Sequence, residues 1–355
     1  MQTQSVIGVD LGSNTLRVCE IRLENGAKAS VVREFERVVG SAKGMSQSGL
    51  SSEAKGRILR AFAEARAEFD FTKSYLAVAT EAFRRAADGA EFLEQIEREV
   101  GVKVRLIEVQ TEAKLSFLGA SFGAGGGFGC GFGASLSNSQ TLIDLGGAST
   151  EVCSLKCEQN TVDLAALARQ VEGLNAHSFG FGIIHSTQKL CAQFGVKFDS
   201  FSPLLAELVA SKRQFLSEFF NRVTCEAREF LTAQKAGQTL LNSGVPTSVA
   251  NLKLGLFHNE YDARKVSGMR LFASDFHKAF HTLLNASEEE RDRLVGKARG
   301  GLVASGILLL AGVFGWDIQN FCALKADEFG ADEFVVVDYG VREGAGLSVA
   351  LQLGV

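Results

Sequence analysis

The sequence predicts an α/β protein of two domains, the second of them more helical than the first. Three observations predict this class. The chain has 355 residues, more than a single hydrophobic core usually serves. Hydrophobic runs alternate with helical periodicity over the first third. The phrase VIGVDLGSNT at Val6–Thr15 returns as TLIDLGGAST at Thr141–Thr150, which indicates two related halves.

Composition favours an ordered globular chain and excludes several classes of partner. Hydrophobic residues make up 46% and charged residues 22% of the sequence. The net charge of -4 provides no basic field for nucleic acid or for an anionic membrane. Residues 1–20 lack the pattern of a signal peptide, so we expect a cytoplasmic protein. Cys153 and Cys157 lack the second pair or nearby histidine that a zinc site requires, which leaves them as thiols without an assigned role.

The first part of the chain is predicted to open with three strands and then to alternate strands and helices. The strands are VIGVDLG, LRVCEIRL and SVVREFERVVG, with Asn25–Gly26 as the hairpin turn between the second and third. The elements that follow are a helix over Glu53–Phe69, a strand from Tyr75, a helix through Ile96, a strand over Val104–Val109, and a helix in TEAKLSFLGASF that Thr111 is expected to cap.

The second part begins after a stretch rich in glycine and serine, GAGGGFGCGFGASLSNSQ at Gly123–Gln140. It lacks the lysine of a P-loop, so we interpret it as an inserted flexible linker. The elements expected after it are the strands TLIDLGG, STEVCSL, TLLNSGV and EFVVVDYG, and helices over Ser202–Ala233 and Ser267–Phe314 with a break near Asn285–Ser287. His277 and His281 are expected to be exposed on a helix, and Gly300–Trp316 is predicted to be a buried helix rather than a membrane span.

The repeated phrase has the chemistry of a phosphate site. Asp10 and Asp144 each end a predicted buried strand and are followed by glycine, whose backbone N–H groups can bind an oxyanion. Because carboxylates repel phosphate, the pair implies a divalent cation, and Mg²⁺ is the ion that usually takes few protein ligands. One such turn is typical of any strand end. Two copies with matching flanks indicate two walls of one interdomain cleft.

Both copies resemble the phosphate motifs of the sugar kinase, Hsp70 and actin superfamily. DLGSNT with GGASTE resembles the exopolyphosphatase and guanosine pentaphosphate phosphohydrolase (Ppx/GppA) family in particular, and further similar segments span nearly the whole chain. They are AVATEAFRRAADG, IEVQTEAKLSFLGA and DYGVREG, with weaker matches at SFGFG and KARGGLVASG. The resemblance implies two actin-like (ribonuclease H-like) domains with a cleft between them, the first formed by residues 1–120 and 342–355 and the second by 121–341, with the glycine-rich insertion at 123–140.

The chain departs from the family pattern at four single positions and in two segments, one of which is the insertion at Gly123–Gln140. Asp88 stands where asparagine is usual, and Thr111 replaces the first of two glutamates. NSGVPTSVA from Asn242 replaces a turn rich in glycine and threonine. His185 and Gly301 stand where arginine and aspartate are usual. These departures bear on which substrate the protein uses more than on which fold it adopts.

The resemblance implies a role for each site residue. Glu112 would be the catalytic base that takes a proton from the attacking water, although the residues alone also fit an acid that favours a helix start. Phosphate would be bound by Gly12, Ser13, Asn14, Thr15, Arg84, Gly146, Gly147, Ala148 and Ser149, and Mg²⁺ by Asp10, Asp144 and Glu151. Arg84 also fits a solvated face with Arg85. Lys297, Arg299 and Arg342 are candidate contacts for a longer polyphosphate.

The function implied is hydrolysis of the terminal phosphoanhydride of inorganic polyphosphate, of pppGpp, or of both, by a homodimer that has no nucleic-acid or membrane partner. Two alternatives stay open within the superfamily. One is an ATP-dependent small-molecule kinase, with NSGVPTS as an adenosine-binding turn. The other is an actin-like nucleotide-binding scaffold. Glu112 and the residues REG at the end of the DYGVREG segment favour the hydrolase over both alternatives.

Overall fold

The computed structural model describes residues 3–24, 28–128, 139–156, 164–234, 237–323 and 332–353. The Asn25–Gly26 turn, Cys157 and most of the glycine-rich insertion lie outside these ranges. The chain divides into two compact units. The first comprises Met1–Ser135, Cys157–His177 and Tyr339–Val355, and the second comprises Leu136–Lys156 and Ser178–Asp338. The domain bounds drawn from the sequence stay a prediction.

The first unit is built on a sheet with the strand order β3-β2-β1-β4-β5. Its strands are β1 (Thr3–Leu11), β2 (Thr15–Glu24), β3 (Lys28–Val38), β4 (Tyr75–Ala79) and β5 (Val104–Leu106). β1, β2 and β3 are antiparallel neighbours, whereas β1, β4 and β5 run parallel. This confirms three opening strands followed by alternating strands and helices. β5 is shorter than predicted, because as the edge strand it pairs with β4 over three residues only.

Helices cover both faces of this sheet. They are α1 (Ser52–Glu68), α2 (Glu81–Arg85), α3 (Gly89–Val100), α4 (Val109–Ala124) and α5 (Leu164–Gln170), with a 3₁₀ turn at Val171–Gly173. The helix predicted through Ile96 is in fact two helices, with a break before Gly89. The predicted cap at Thr111 is wrong, because α4 follows Glu108, the last residue in extended conformation, and Thr111 lies inside its first turn.

The second unit has a sheet of order β10-β11-β9-β6-β7-β8. Its strands are β6 (Ser139–Leu145), β7 (Thr150–Lys156), β8 (Asn175–Phe179, of which the unit itself includes the last two residues), β9 (Gln238–Asn242), β10 (Arg270–Phe272) and β11 (Glu333–Val337). β6, β9 and β11 are parallel neighbours, and β7 is antiparallel to β6. The four predicted strands are confirmed. β10 corrects the prediction that its residues are helical.

The second unit is the more helical one, as predicted. Its helices are α6 (Ile183–Gln193), α7 (Phe201–Ser211), α8 (Arg213–Ala233), α9 (Gly244–Lys253), α10 (Ala263–Val266), α11 (Ala273–Asn285), α12 (Glu288–Val295), α13 (Gly300–Phe314) and α14 (Ile318–Phe321), with 3₁₀ turns at Phe198–Ser200 and His258–Glu260. α13 is buried along nearly its whole length, as expected. No single helix among the described residues is long and apolar enough to cross a membrane, and α12 with α13 reaches that length only across a 67° bend.

His277 and His281 are not exposed, contrary to the prediction. Only 4% of His277 is accessible. Its Nε2 lies 3.4 Å from the carbonyl oxygen of Ala323, and the Nε2 of His281 lies 3.0 Å from that of Phe321. Burial lowers the pKa of both rings, because it disfavours the charged imidazolium. The pair therefore belongs to the packing of α11 against the segment after α13.

The last helix, α15 (Val341–Ala350), belongs to the first unit and packs against β1 and α4. Its approach to α4 is a contact between backbones. A Cβ atom added at Gly119 of α4 would overlap the carbonyl oxygen of Gly340, and one added at Gly344 of α15 would overlap that of Leu115. Glycine is required at both positions, because neither obstacle is a side chain that can move aside.

Arg342 and Glu343, from the last part of the DYGVREG segment, support this packing. Glu343 is 1% exposed, and its carboxylate accepts hydrogen bonds from the backbone N–H of Gly340 at 2.8 Å and from the Arg342 guanidinium. Arg342 is 9% exposed and also forms an ion pair with Glu34 at 2.5 Å. Burial raises the pKa of Glu343 despite the attraction of Arg342. Arg342 is thus engaged inside the first unit, which assigns it to packing rather than to a polyphosphate chain.

Candidate active site

The two segments that contain Asp10 and Asp144 fold into two separate hairpins with the same geometry. In the first unit the N–H of Gly12 donates to the carbonyl oxygen of Thr15 at 2.9 Å. In the second unit the N–H of Gly146 donates to that of Ser149 at 3.0 Å. In both hairpins four residues separate the last paired positions of the strands. The repetition seen in the sequence is therefore a repetition of backbone geometry.

The first turn is held on one side by the segment that follows β3. The carbonyl oxygen of Asn14 accepts hydrogen bonds from the N–H groups of Val39 and Gly40, at 2.8 and 2.9 Å. The carbonyl oxygen of Ser13 accepts one from Ala42 at 3.0 Å. Two carbonyl groups of the turn thus face this segment, which fixes the turn before any ligand binds.

Asp88 anchors the far end of the same segment. Its Oδ1 accepts a hydrogen bond from the N–H of Leu50 at 2.8 Å, and its Oδ2 lies 2.6 Å from Nζ of Lys55. Burial alone would raise the pKa of Asp88, but the hydrogen bonds from Lys55 and Leu50 outweigh it and lower the pKa. The aspartate that departs from the family pattern is therefore a structural anchor for the loop behind the first turn.

Gly12 is a glycine that the fold itself does not require. Its φ lies outside the left-handed region. An added Cβ would lie 3.7 Å from the carbonyl oxygen of Thr15 and 4.0 Å from Oδ1 of Asp10, which are ordinary contact distances. At Gly146, by contrast, the carbonyl oxygen of Ser149 would be only 2.8 Å away. A Cβ atom would therefore fit at Gly12 without a clash, and its absence leaves the backbone accessible to the close approach of a ligand.

Arg84 and Glu112 form an ion pair. Nη1 of Arg84 lies 2.7 Å from Oε2 of Glu112, and each side chain is 13% exposed. Arg84 also donates to the carbonyl oxygen of Ile107 at 2.9 Å and to Oε2 of Glu81 at 3.0 Å. The alternative of a solvated face is wrong for Arg84 but fits Arg85, which is exposed. Burial alone would lower the pKa of Arg84, yet the attraction of Glu112, together with bonds to both carboxylates, raises it.

The sheet of the first unit brings these residues to one edge. β1, β4 and β5 are parallel, so their carboxyl ends lie together. Asp10 and its turn close β1, α2 with Arg84 follows β4, and α4 with Glu112 follows β5. The carboxyl edge of parallel strands is where α/β folds bind ligands. The predicted residues of the first unit therefore share one edge of one sheet.

In the second unit, Asp144 and Glu151 are directly opposite each other on β6 and β7. Opposite residues of an antiparallel pair project from the same face of the sheet. Nδ2 of Asn242 donates to Oδ2 of Asp144 at 3.2 Å, and Oγ of Ser178 donates to Oε1 of Glu151 at 2.7 Å. Neither Asn242 nor Ser178 was among the predicted site residues. For Asn242 the signal was a polar residue at the end of a buried strand, which is informative only once the strand order is known. Ser178 gave no such signal, because its strand is only partly buried.

α6 holds the second turn. The N–H of Ile183 donates to the carbonyl oxygen of Gly146 at 3.0 Å. The N–H groups of Ile184 and His185 donate to that of Gly147 at 2.9 and 3.1 Å. The first N–H groups of this helix therefore bind protein rather than a ligand. Gly182, the last residue of SFGFG, lies against the turn, since an added Cβ atom there would be 2.6 Å from the carbonyl carbon of Gly147.

The carboxylates of the second unit fit Mg²⁺ better than zinc. Within the described ranges, no group of three or more histidine, cysteine, aspartate or glutamate residues is arranged to hold a metal ion. The pair of Asp144 and Glu151 offers two carboxylates, and Mg²⁺ is usually bound by one or two of these together with waters and phosphate oxygens. Asp10, in the first unit, has Arg17 rather than an acid as its strand partner. Its part in holding the ion stays a prediction.

Comparisons with known proteins agree with these features. The family model of the Ppx/GppA phosphatase family matches residues 42–352. The crystal structure of the Aquifex aeolicus member of the Ppx/GppA family is 24% identical, with 99% of each chain covered and a TM-score of 0.67. That of an exopolyphosphatase from Cytophaga hutchinsonii is 20% identical, with 99% of each chain covered and a TM-score of 0.71. These similarities confirm the actin-like two-domain fold. Since the family model matches most of this chain, the chain belongs to the Ppx/GppA phosphatase family and is a hydrolase.

Proposed function

We propose that this hydrolase releases orthophosphate from the terminal phosphoanhydride of inorganic polyphosphate, of pppGpp, or of both, in a reaction that depends on Mg²⁺. One observation carries the proposal. The carboxylate of Glu112, held by Arg84, lies at the same sheet edge as the open backbone of Gly12. Phosphoryl transfer to water requires an acceptor for the water's proton beside a bound phosphate, and this edge offers both.

Glu112 acts as the base in this proposal, and Arg84 orients it. The guanidinium carries several N–H donors in a fixed plane, so it can bind a phosphate oxygen next to the carboxylate that it holds. The attacking water would donate its proton to Glu112 as its oxygen bonds to phosphorus and the bridging P–O bond breaks, with the negative charge leaving on the shortened phosphate chain or nucleotide. The residues of the first turn would bind the terminal phosphate through backbone N–H groups and hydroxyls.

Mg²⁺ would be held by Asp144 and Glu151, the two predicted ligands in the second unit. The prediction of Asp10 as a further ligand rests on the sequence alone. When bound, the ion neutralises phosphate oxygens and lowers the barrier to attack. The predictions that both turns serve one phosphate, that the protein is a homodimer and that it is cytoplasmic rest on the sequence and the family resemblance.

The test supplies purified protein with polyphosphate, pppGpp and ATP in separate reactions with Mg²⁺ and measures released phosphate. We expect release from polyphosphate or pppGpp, and the ratio of the two kcat/KM values identifies the preferred substrate. ATP turnover that depends on a sugar or polyol, with polyphosphate and pppGpp both inert, would contradict the hydrolysis proposal and support the kinase alternative.

Gly12→Ala is expected to separate activity from stability. Alanine fits the space and backbone at this position, so the free energy of unfolding should change by less than about 1 kcal/mol. kcat/KM for phosphate release should fall by at least about tenfold, because the added methyl group keeps phosphate from the backbone. Gly173→Ala is the control, since it also adds a methyl group without a clash in the same unit, with no other atom within 4 Å of the added Cβ. Full activity of Gly12→Ala would show that substrate does not approach this backbone.

A further inference from the structure

Four polar residues lie side by side across the sheet of the second unit. They are Ser178, Glu151, Asp144 and Asn242, on the neighbouring strands β8, β7, β6 and β9. We call them the carboxylate row. Glu151 and Asp144 are register partners, and so are Asp144 and Asn242. The row has a hydrogen-bond donor at each end and the two acids in the middle.

The negatively charged carboxylates of Asp144 and Glu151 repel each other. Like charges placed directly opposite on adjacent strands destabilise the pairing. Glu151 is only 7% exposed, so little solvent screens its charge. Each acid instead receives a hydrogen bond from the outer side of the row, at 2.7 Å from Ser178 and at 3.2 Å from Asn242. These bonds fix the orientation of both carboxylates.

We infer that Asn242 and Ser178 are positioning residues, which hold Asp144 and Glu151 in the orientation that binds a divalent cation. The inference rests on the proposed function, because it concerns the cation site proposed there. Partners that orient metal ligands typically change metal affinity by about 10- to 100-fold when they are removed. Neither residue needs to touch the ion or the substrate to have this effect.

Asn242 belongs to the sheet, whereas the residues that follow it belong to the start of a helix. Ser243 caps α9, since its Oγ accepts a hydrogen bond from the N–H of Val245 at 3.0 Å. Gly244 begins the helix. Asn242 is the last residue of β9, is 9% exposed, and is bonded across the sheet to Asp144. The first residue of NSGVPTSVA therefore belongs to the carboxylate row, whereas the rest of that segment forms the start of α9.

The experiment measures cation binding directly, by titrating the full-length protein with Mn²⁺ and with Mg²⁺ in a calorimeter. Asn242→Ala and Ser178→Ala should each weaken binding by about tenfold or more. Ser178→Thr keeps the hydroxyl and should bind like the wild type. Ser154→Ala is the matched control. It removes a hydroxyl from β7 that projects from the opposite face to Glu151 and bonds Gln234.

A second readout distinguishes positioning from general damage. In phosphate release, the Mg²⁺ concentration for half-maximal rate should rise by about tenfold in both alanine variants, while kcat at saturating Mg²⁺ stays within about twofold of the wild type. Circular dichroism checks folding. If Asn242→Ala does not fold, the comparison of Ser178→Ala with Ser178→Thr decides the question.

The outcomes separate this inference from the proposed function. Folded alanine variants that bind Mn²⁺ and Mg²⁺ as tightly as the wild type would overturn the inference alone. A wild type that releases phosphate but binds neither cation would overturn both the inference and the metal part of the proposed function. Weaker binding in Ser178→Ala that Ser178→Thr restores supports the inference, whichever substrate is preferred.

Discussion

Glu112→Gln is expected to lower kcat for phosphate release by about 100- to 10,000-fold, the range typical of removing a general base. The amide has nearly the same shape as the carboxylate, and its oxygen can still accept the hydrogen bond from Arg84. It cannot take a proton from water. The fold should therefore persist, and the loss should appear in kcat rather than in the free energy of unfolding.

Glu81→Gln is the control, because Arg84 binds both carboxylates. The guanidinium lies 3.0 Å from Glu81 and 2.7 Å from Glu112. If Glu112 served only to neutralise Arg84, the two substitutions would lower the rate to a similar extent. We expect Glu81→Gln to retain kcat within about tenfold. Full activity of Glu112→Gln in steady-state assays would remove that residue from the mechanism and leave the fold unaffected.

The hairpins were predictable because their signals are local. A strand pattern and a glycine two residues after the aspartate lie within ten residues of sequence in each copy, and the two copies reinforce each other. Such patterns determine where a chain turns. They also determine which side chains share a face, and so the sequence places Asp10 and Asp144 at strand ends.

Contacts between distant segments were not predictable in this way. Arg84 and Glu112 are 28 residues apart, and their pairing depends on β4 and β5 being parallel neighbours. The pairing of Asn242 with Asp144 spans 98 residues and depends on the order of the second sheet. The burial of His277 was missed for the same reason, because the segment that covers it lies 46 residues further along the chain.

The DYGVREG ending shows how a family motif can have a structural origin. It was interpreted as a hydrolase feature, yet Arg342 and Glu343 are buried and bonded to each other inside the first unit. Gly344 lies against the backbone of α4, the helix that carries Glu112. If Glu112 is the base, as proposed, we expect the motif to affect catalysis through the position of α4.

Gly344→Ala is expected to destabilise the first unit by at least about 3 kcal/mol, at the upper end for an overpacked core. The added methyl group would overlap the carbonyl oxygen of Leu115. That oxygen belongs to the helical backbone, so relief requires α15 and α4 to move apart. Chemical denaturation monitored by circular dichroism measures the change.

Gly56→Ala is the matched control, because it makes the same change inside another helix of the first unit, at the fifth residue of α1. The nearest atom to its added Cβ is Nη1 of Arg60 at 3.5 Å, an ordinary contact. Alanine is the better helix former, so this variant should gain about 0.5–1 kcal/mol. The two substitutions therefore have opposite expected signs, which no general effect of alanine in a helix explains.

A folded Gly344→Ala protein as stable as the wild type would contradict the close packing of α15 on α4. A folded variant with reduced stability would be more informative, because any separation of the helices displaces the helix that carries Glu112. Its kcat should then fall along with its stability, whereas Gly56→Ala should keep kcat while gaining stability. That contrast would tie the carboxyl-terminal motif to catalysis through the position of one helix, without any contact between the motif and the substrate.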